Sequence, residues 1–274
     1  MRESGPIGVF DSGYGGLTVF REIAARVPEY DFLYLGDNAR TPYGTRSFEA
    51  VYLYTRDAVR WLFDRGCRLA VLACNTASAK ALRTIQQKDL PVLAPERRVL
   101  GVIRPVTERL GGLSRSGHVG LFATTGTVRS ESYPIEIHKF FPDLVVVSEA
   151  CPLWVPLIEN GELDGPGTEH FVRRHVDCLL ARDPEIDTII LGCTHYPLLS
   201  DVIARFLPPG IQLVSQGPIV AESLADYLLR HPEIDALCRR GGGRDFFTTD
   251  DPEDFDRRAA HFYGGPVCSE KTDF

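Results

Sequence analysis

Lysine is scarce in this chain of 274 residues. Only Lys80, Lys88, Lys139 and Lys271 stand among 30 basic residues, and none follows a predicted strand. That speaks against a pyridoxal Schiff base at a strand-end corner. A basic excess is also missing: 30 basic residues against 37 acidic ones leave a net charge of −7. Direct nucleic-acid contact is therefore not expected. No apolar run reaches the roughly 20 residues that span a bilayer. The opening stretch, Met1-Arg-Glu-Ser-Gly-Pro6, runs into a strand pattern with no signal-peptide core. These absences predict a cytoplasmic protein without a membrane partner. The seven cysteines include no CxxC pair, so free thiols are expected rather than disulfides or a zinc knuckle. GxGxxG, a lysine-bearing P-loop, GxSxG and HExxH are absent too, which weakens nucleotide, serine-hydrolase and zinc chemistries.

Apolar residues make up 44% and charged residues 24% of the chain, as in ordinary soluble domains. Short aliphatic runs alternate with stretches of helical period, the signature of an α/β fold. The runs predict strands over 7–10, 32–35, 69–73, 91–93, 119–123, 144–147, 188–191 and 212–214. Helical patterns lie over 15–26, 47–65, 76–88, 127–140, 167–181, 197–206, 219–230 and 252–262, the last opening on Asp251-Pro252 as cap and first residue. Runs such as LAVLA and TIILG lack alternation, as parallel strands covered on both faces do. Two motifs echo one another: IGVFDSGYGGLT with VGLFATTGTVRS, and LAVLACNTAS with TIILGCTHYP. The expected architecture is two pseudo-symmetric α/β domains with mainly parallel sheets and a site in the cleft between them. One domain comprises 1–100 plus 214–274, the other 101–213.

In parallel α/β sheets ligands bind at the carboxyl ends of strands. Corners at Asp11-Ser12-Gly13, Pro42-Tyr43-Gly44, Cys74-Asn75-Thr76 and Cys193-Thr194-His195 combine polar residues with helix starts, where N–H groups face an anion. Cys74 and Cys193 hold equivalent places in the two halves. A thiol at a helix N-terminus is expected to have a lowered pKa. Two such thiols facing one carbon could remove a proton from one side and return one to the other, inverting a stereocentre. Asp11 is the natural partner of Cys74, and His195 of Cys193, with a carboxylate expected behind the histidine. The other five cysteines lack a corner setting and read as structural. Proton transfer without cofactor or metal fits these residues best.

Taken together, the motifs GVFDSGYGGLTV, YLGDNARTPYG, ACNTASA, GVIRP, TTGTVRS, ACPLWVPLIENG, LGCTHYPLL and FFTTDDPEDF resemble the glutamate racemases, cofactor-independent enzymes of bacterial wall synthesis in the aspartate/glutamate racemase superfamily. The resemblance implies interconversion of L- and D-glutamate, with Cys74 handling the α-proton of D-glutamate and Cys193 that of L-glutamate. It implies that Asp11 and His195 assist the thiols and that Glu159 supports the histidine. Substrate-binding positions map to Asp11, Ser12, Tyr43, Gly44, Asn75, Thr76, Thr124, Thr127, Thr194 and His195. It also suggests a homodimer. Alternatives are an aspartate racemase, a related decarboxylase (which would keep one thiol) and a secondary role as a binding protein that inhibits DNA gyrase.

This chain departs from the family pattern in two places. Ala94-Pro-Glu-Arg-Arg-Val-Leu100 reads as an insertion near the domain junction, bearing on hinge or dimer contact. Ser215-Gln216 stands where Asp-Ser is common and is expected to touch no catalytic corner. The short N-terminus is also expected to lack the extension some members use for regulation by a wall precursor.

Overall fold

The computed structural model describes residues 4–274; Met1, Arg2 and Glu3 of the opening stretch lie outside the described residues. The strands are Ile7–Asp11 (β1), Phe32–Gly36 (β2), Leu69–Leu72 (β3), Arg98–Gly101 (β4), His118–Ala123 (β5), Val145–Ala150 (β6), Thr188–Gly192 (β7), Gln212–Val214 (β8), Arg244–Thr248 (β9) and Ser269–Lys271 (β10). They form two sheets, ordered β10-β9-β2-β1-β3-β4 and β6-β5-β7-β8, with every pairing parallel. The order β2-β1-β3-β4 recurs as β6-β5-β7-β8. The echo of two motifs thus extends to the order of four strands, with β1 answering β5 and β3 answering β7, while β9 and β10 have no counterpart in the second sheet. Strands β1, β3 and β7 are buried throughout, which accounts for their unbroken apolar sequences.

Helix boundaries follow local chemistry. Ser47 caps Phe48–Asp64 by accepting from the Ala50 N–H at 3.1 Å, and Gly66 at φ +88 turns the chain into β3. Asp251 caps Pro252–Tyr263 as its sequence predicts. The predicted helix 127–140 is broken, because Glu131 adopts φ 53 between Thr125–Arg129 and Ser132–Phe140. The helix predicted over 76–88 runs as Asn75–Lys80, Leu82–Thr84 and a π-turn over Ile85–Asp89.

One strand prediction fails. Residues 91–93 lie in a helical turn, Leu90–Leu93, with Pro91 in its first turn and Val92 80% exposed. Proline lacks the N–H a ladder needs but fits a first helical turn. The sheet edge is instead β4, paired with β3 from Leu69↔Arg98 to Leu72↔Gly101. Arg98, Val99 and Leu100 of the segment 94–100 thus belong to this edge strand. Strands β9 and β10 and helices Ile103–Arg109 and Trp154–Glu159 lack a clear signal in the sequence. Helix Gln216–Arg230 packs along Leu17–Arg26, and β9 and β10 extend the first sheet, so the C-terminal segment returns to the first half. One buried apolar cluster runs from Ile7 and Leu69 through Phe122 and Trp154 to Ile189, joining the lobes behind the strand ends.

Candidate active site

Strand β1 ends at Asp11, which is buried and whose Oδ1 accepts the Gly13 N–H at 2.9 Å. The following Ser12 hydroxyl shares a hydrogen bond with the Cys74 Sγ at 3.5 Å. Cys74 is itself the N-cap of Asn75–Lys80, its sulfur accepting from the Ala77 N–H at 3.4 Å. The expected lowering of its pKa is overturned. Burial pushes the thiol up to about 12, the Asp11 carboxylate pushes the same way, and the bonds to Ser12 and Ala77 do not compensate. A six-residue helix offers less to a thiolate than water does. Burial also raises Asp11 above the usual carboxylate range, against a lowering by His195.

The second corner is built differently. Cys193 follows β7, and its sulfur lies 3.8 Å from His195 Nδ1. On the other side of the ring, Nε2 meets Glu159 Oε1 at 2.9 Å, at the end of helix Trp154–Glu159. Burial pulls the imidazole down, but its bonds with Cys193 and Glu159 outweigh that and raise it to about 10. The cationic ring is thus favoured at neutral pH beside the sulfur. The first lobe grips this corner from several sides. The Thr18 hydroxyl donates to the Thr194 carbonyl at 2.8 Å. Phe262 packs edge-on against His195 with centroids 5.2 Å apart, and Arg258 donates to the Glu159 carbonyl at 3.0 Å. Gly15 lies so close that a Cβ there would fall 2.3 Å from His195 Nδ1; only glycine fits.

Both thiols line one cavity of about 110 Å³ between the lobes. Asp11, Ser12, Tyr43, Gly44, Asn75, Thr76, Thr124, Glu159, Thr194 and His195 line it with them. Thr127 does not. It is buried one turn behind, where its N–H and hydroxyl bond the Thr124 hydroxyl at 3.3 and 3.1 Å. The sequence places these two threonines three apart at a helix start, so one caps and the other faces the cavity. The Thr76 and Thr124 hydroxyls meet across the lobes at 3.1 Å, and Tyr43 is held by Asp37 Oδ2 at 2.5 Å.

Several contributors escape the sequence reading. Cys151, Pro152, Val155 and Pro156 supply an apolar wall; Cys151 reads as structural from its setting but reaches the lining. Phe262 and Arg258 come from the last helix, with no motif to announce them. The expectation that Ser215-Gln216 touches no catalytic corner also fails, because Gln216 bonds Asn75, the neighbour of Cys74. Among the described residues no group of three or more His, Cys, Asp or Glu is placed to hold a metal ion.

Two α/β lobes of like strand order thus present a thiol each to one small cavity, and comparison with known proteins says what this arrangement resembles. The sequence model of the Asp/Glu/Hydantoin racemase family matches residues 7–224. A glutamate racemase of Ruegeria sp. (strain TM1040) is 43% identical over 274 aligned positions, covering 96% of this chain and 98% of that protein. The crystal structure of a glutamate racemase isoform from Bacillus anthracis matches with a TM-score of 0.89 at 33% identity, covering 98% of each chain. That of glutamate racemase from Francisella tularensis, in complex with D-glutamate, matches at 0.87 and 30%, again over 98% of each chain. The chain belongs to the Asp/Glu/Hydantoin racemase family.

Proposed function

We propose that this protein interconverts L- and D-glutamate by two-thiol proton transfer at Cα, without a cofactor. The observation that carries the reading is the pair Cys74 and Cys193 on one cavity sized for a small metabolite, each with its own polar partners. The two functional lobes are 1–100 plus 214–274 and 101–213.

In the L-to-D direction the Cys193 sulfur takes the α-proton and Cys74 delivers its own proton to the opposite face. One C–H bond breaks, one forms, and the two sulfurs exchange protonation states. Burial keeps the Cys74 proton in place far above neutrality, as this direction requires. His195, raised to about 10, supplies positive charge beside Cys193, and Glu159 orients the ring. In the D-to-L direction the roles reverse, with Asp11 and Ser12 serving the Cys74 side. The substrate carboxylates are met by Ser12, Tyr43, Gly44, Asn75, Thr76, Thr124 and Thr194. In a site closed to water such dipoles outweigh the screened net charge of the chain.

The same reading assigns the product to peptidoglycan synthesis in the cytoplasm, by a homodimer. Among the described residues no helix is long and apolar enough to cross a membrane. The test is circular dichroism of the purified protein with each enantiomer of glutamate and of aspartate, with no pyridoxal phosphate added. Both glutamate enantiomers should decay to the racemate and aspartate should not. Turnover of aspartate alone would assign the aspartate racemase alternative.

A further inference from the structure

Behind Cys74, three polar side chains from three elements meet with almost no exposure. Asn75 follows β3, Tyr133 lies on Ser132–Phe140 of the other lobe, and Gln216 is the first residue of Gln216–Arg230. Asn75 and Gln216 are each 2% exposed and Tyr133 is fully buried. Asn75 and Gln216 form a cyclic amide pair: Asn75 Nδ2 donates to Gln216 Oε1 at 2.5 Å, and Gln216 Nε2 donates to Asn75 Oδ1 at 3.1 Å. The Tyr133 hydroxyl donates to the same Asn75 Oδ1 at 2.8 Å and accepts from Gln216 Nε2.

A side-chain amide has two N–H donors and an oxygen with two lone pairs. Both acceptor positions of Asn75 are occupied by Gln216 and Tyr133, and one of its N–H groups is spent on Gln216. What remains is a single N–H, on a residue that lines the cavity. The orientation matters for an anionic guest, because an amide turned the other way would face a carboxylate with its oxygen.

Building on the glutamate reading above, we propose that Gln216 is a positioning residue that locks the Asn75 carboxamide with its free N–H toward a substrate carboxylate. A shorter side chain at the start of this helix could not close the ring with Asn75. Tyr133 ties the lock to the second lobe, so the donor is set where the lobes meet. The role is one of binding geometry: it sets how well a carboxylate is held and leaves the thiols themselves untouched.

The test compares the wild type with Gln216→Met, which keeps the length and removes both polar groups. The readouts are KM and kcat for each glutamate enantiomer and the thermal midpoint. Loss of a buried hydrogen-bonding partner that orients a charged ligand should raise KM about 10-fold for both enantiomers while kcat stays within about twofold. A role in lobe packing alone would lower the thermal midpoint and leave KM unmoved; that result overturns the proposal. Should Gln216→Met fail to fold, Tyr133→Phe removes one hydroxyl from the same lock. It should raise KM about threefold, and an unchanged KM there overturns the proposal as well. A wild type that leaves both glutamate enantiomers unconverted overturns the functional reading and this one with it. An active wild type with an indifferent Gln216→Met overturns this one alone.

Discussion

The two thiol corners share a scaffold and differ in everything attached to it. Each follows the third strand of an identical order, β2-β1-β3-β4 or β6-β5-β7-β8, and each sulfur reaches the same cavity. Cys74 is surrounded by a hydroxyl, a backbone N–H and a buried carboxyl, a setting that keeps the proton on sulfur. Cys193 sits beside an imidazole raised to about 10 and backed by a carboxylate. The repeated strand order supplies position, and local partners give the two sulfurs different surroundings. A reaction that moves a proton from one face of a carbon to the other needs both the symmetry and its breaking. At the start of a turn one sulfur must give what the other takes.

The comparison is tested most severely at the sulfurs. Cys74→Ser and Cys193→Ser should each lower racemisation about 10³-fold with the fold intact. Deuterium uptake from solvent should fail mainly for D-glutamate in the first and for L-glutamate in the second. Near-wild-type turnover in either variant would remove the two-thiol assignment. The next largest effect belongs to the partner unique to the second corner. His195→Gln should reduce kcat about 10²-fold and Glu159→Gln about 10-fold, since the carboxylate acts only through the ring. A larger loss from Glu159→Gln would show that the carboxylate touches the substrate itself.

The grip of the first lobe on the second corner can be loosened by a single methyl group. Gly15→Ala would force His195 or Thr194 aside. It should destabilise the protein by roughly 1–3 kcal/mol and lower activity about 10-fold, measured by thermal unfolding and initial rates. The smallest effect is in alkali. His195 is raised from 6.5 to about 10, so its contribution to stability is complete below pH 6.5 and disappears as pH rises through 10. Cys74 is raised from 9.0 to about 12, so its contribution is complete below pH 9 and lost by 12. Thermal midpoints measured across this range should fall in both windows. His195→Gln should flatten the lower one, and Cys74→Ser should lessen the fall in the upper one, a window shared by Cys67 and Cys238, which burial also raises to about 12. A profile that is flat in the wild type would contradict both assignments.

Much of the fold is legible along the chain because its central strands are buried on both faces. Each of β1, β3, β5 and β7 is a short aliphatic run ending in a polar corner, and the polar corner is where the lining comes from. The failures have a common cause. Residues 91–93 look like a strand by composition, but no neighbour offers them a ladder, whereas Arg98–Gly101 finds one along β3. Strand β9 carries charge and mixed burial and pairs with β2 across more than 200 residues of sequence. Neither fact has a local signature. The motif predicts Thr127 in the lining with Thr124, but one helical turn separates the cap that faces the cavity from the residue that supports it.

What the sequence determined unaided is which residues stand at the strand ends: two cysteines in matching corners, an aspartate, a histidine and a set of small hydroxyls. Hydrophobic period and turn chemistry act over a few residues, so they can be read from neighbours alone. The tertiary structure decided how those groups behave. It reversed the expected acidity of Cys74, paired His195 with Glu159 across 36 positions and brought Gln216 to Asn75 across 141. Desolvation and hydrogen bonding depend on what closes over a group, and that is set by parts of the chain far from it.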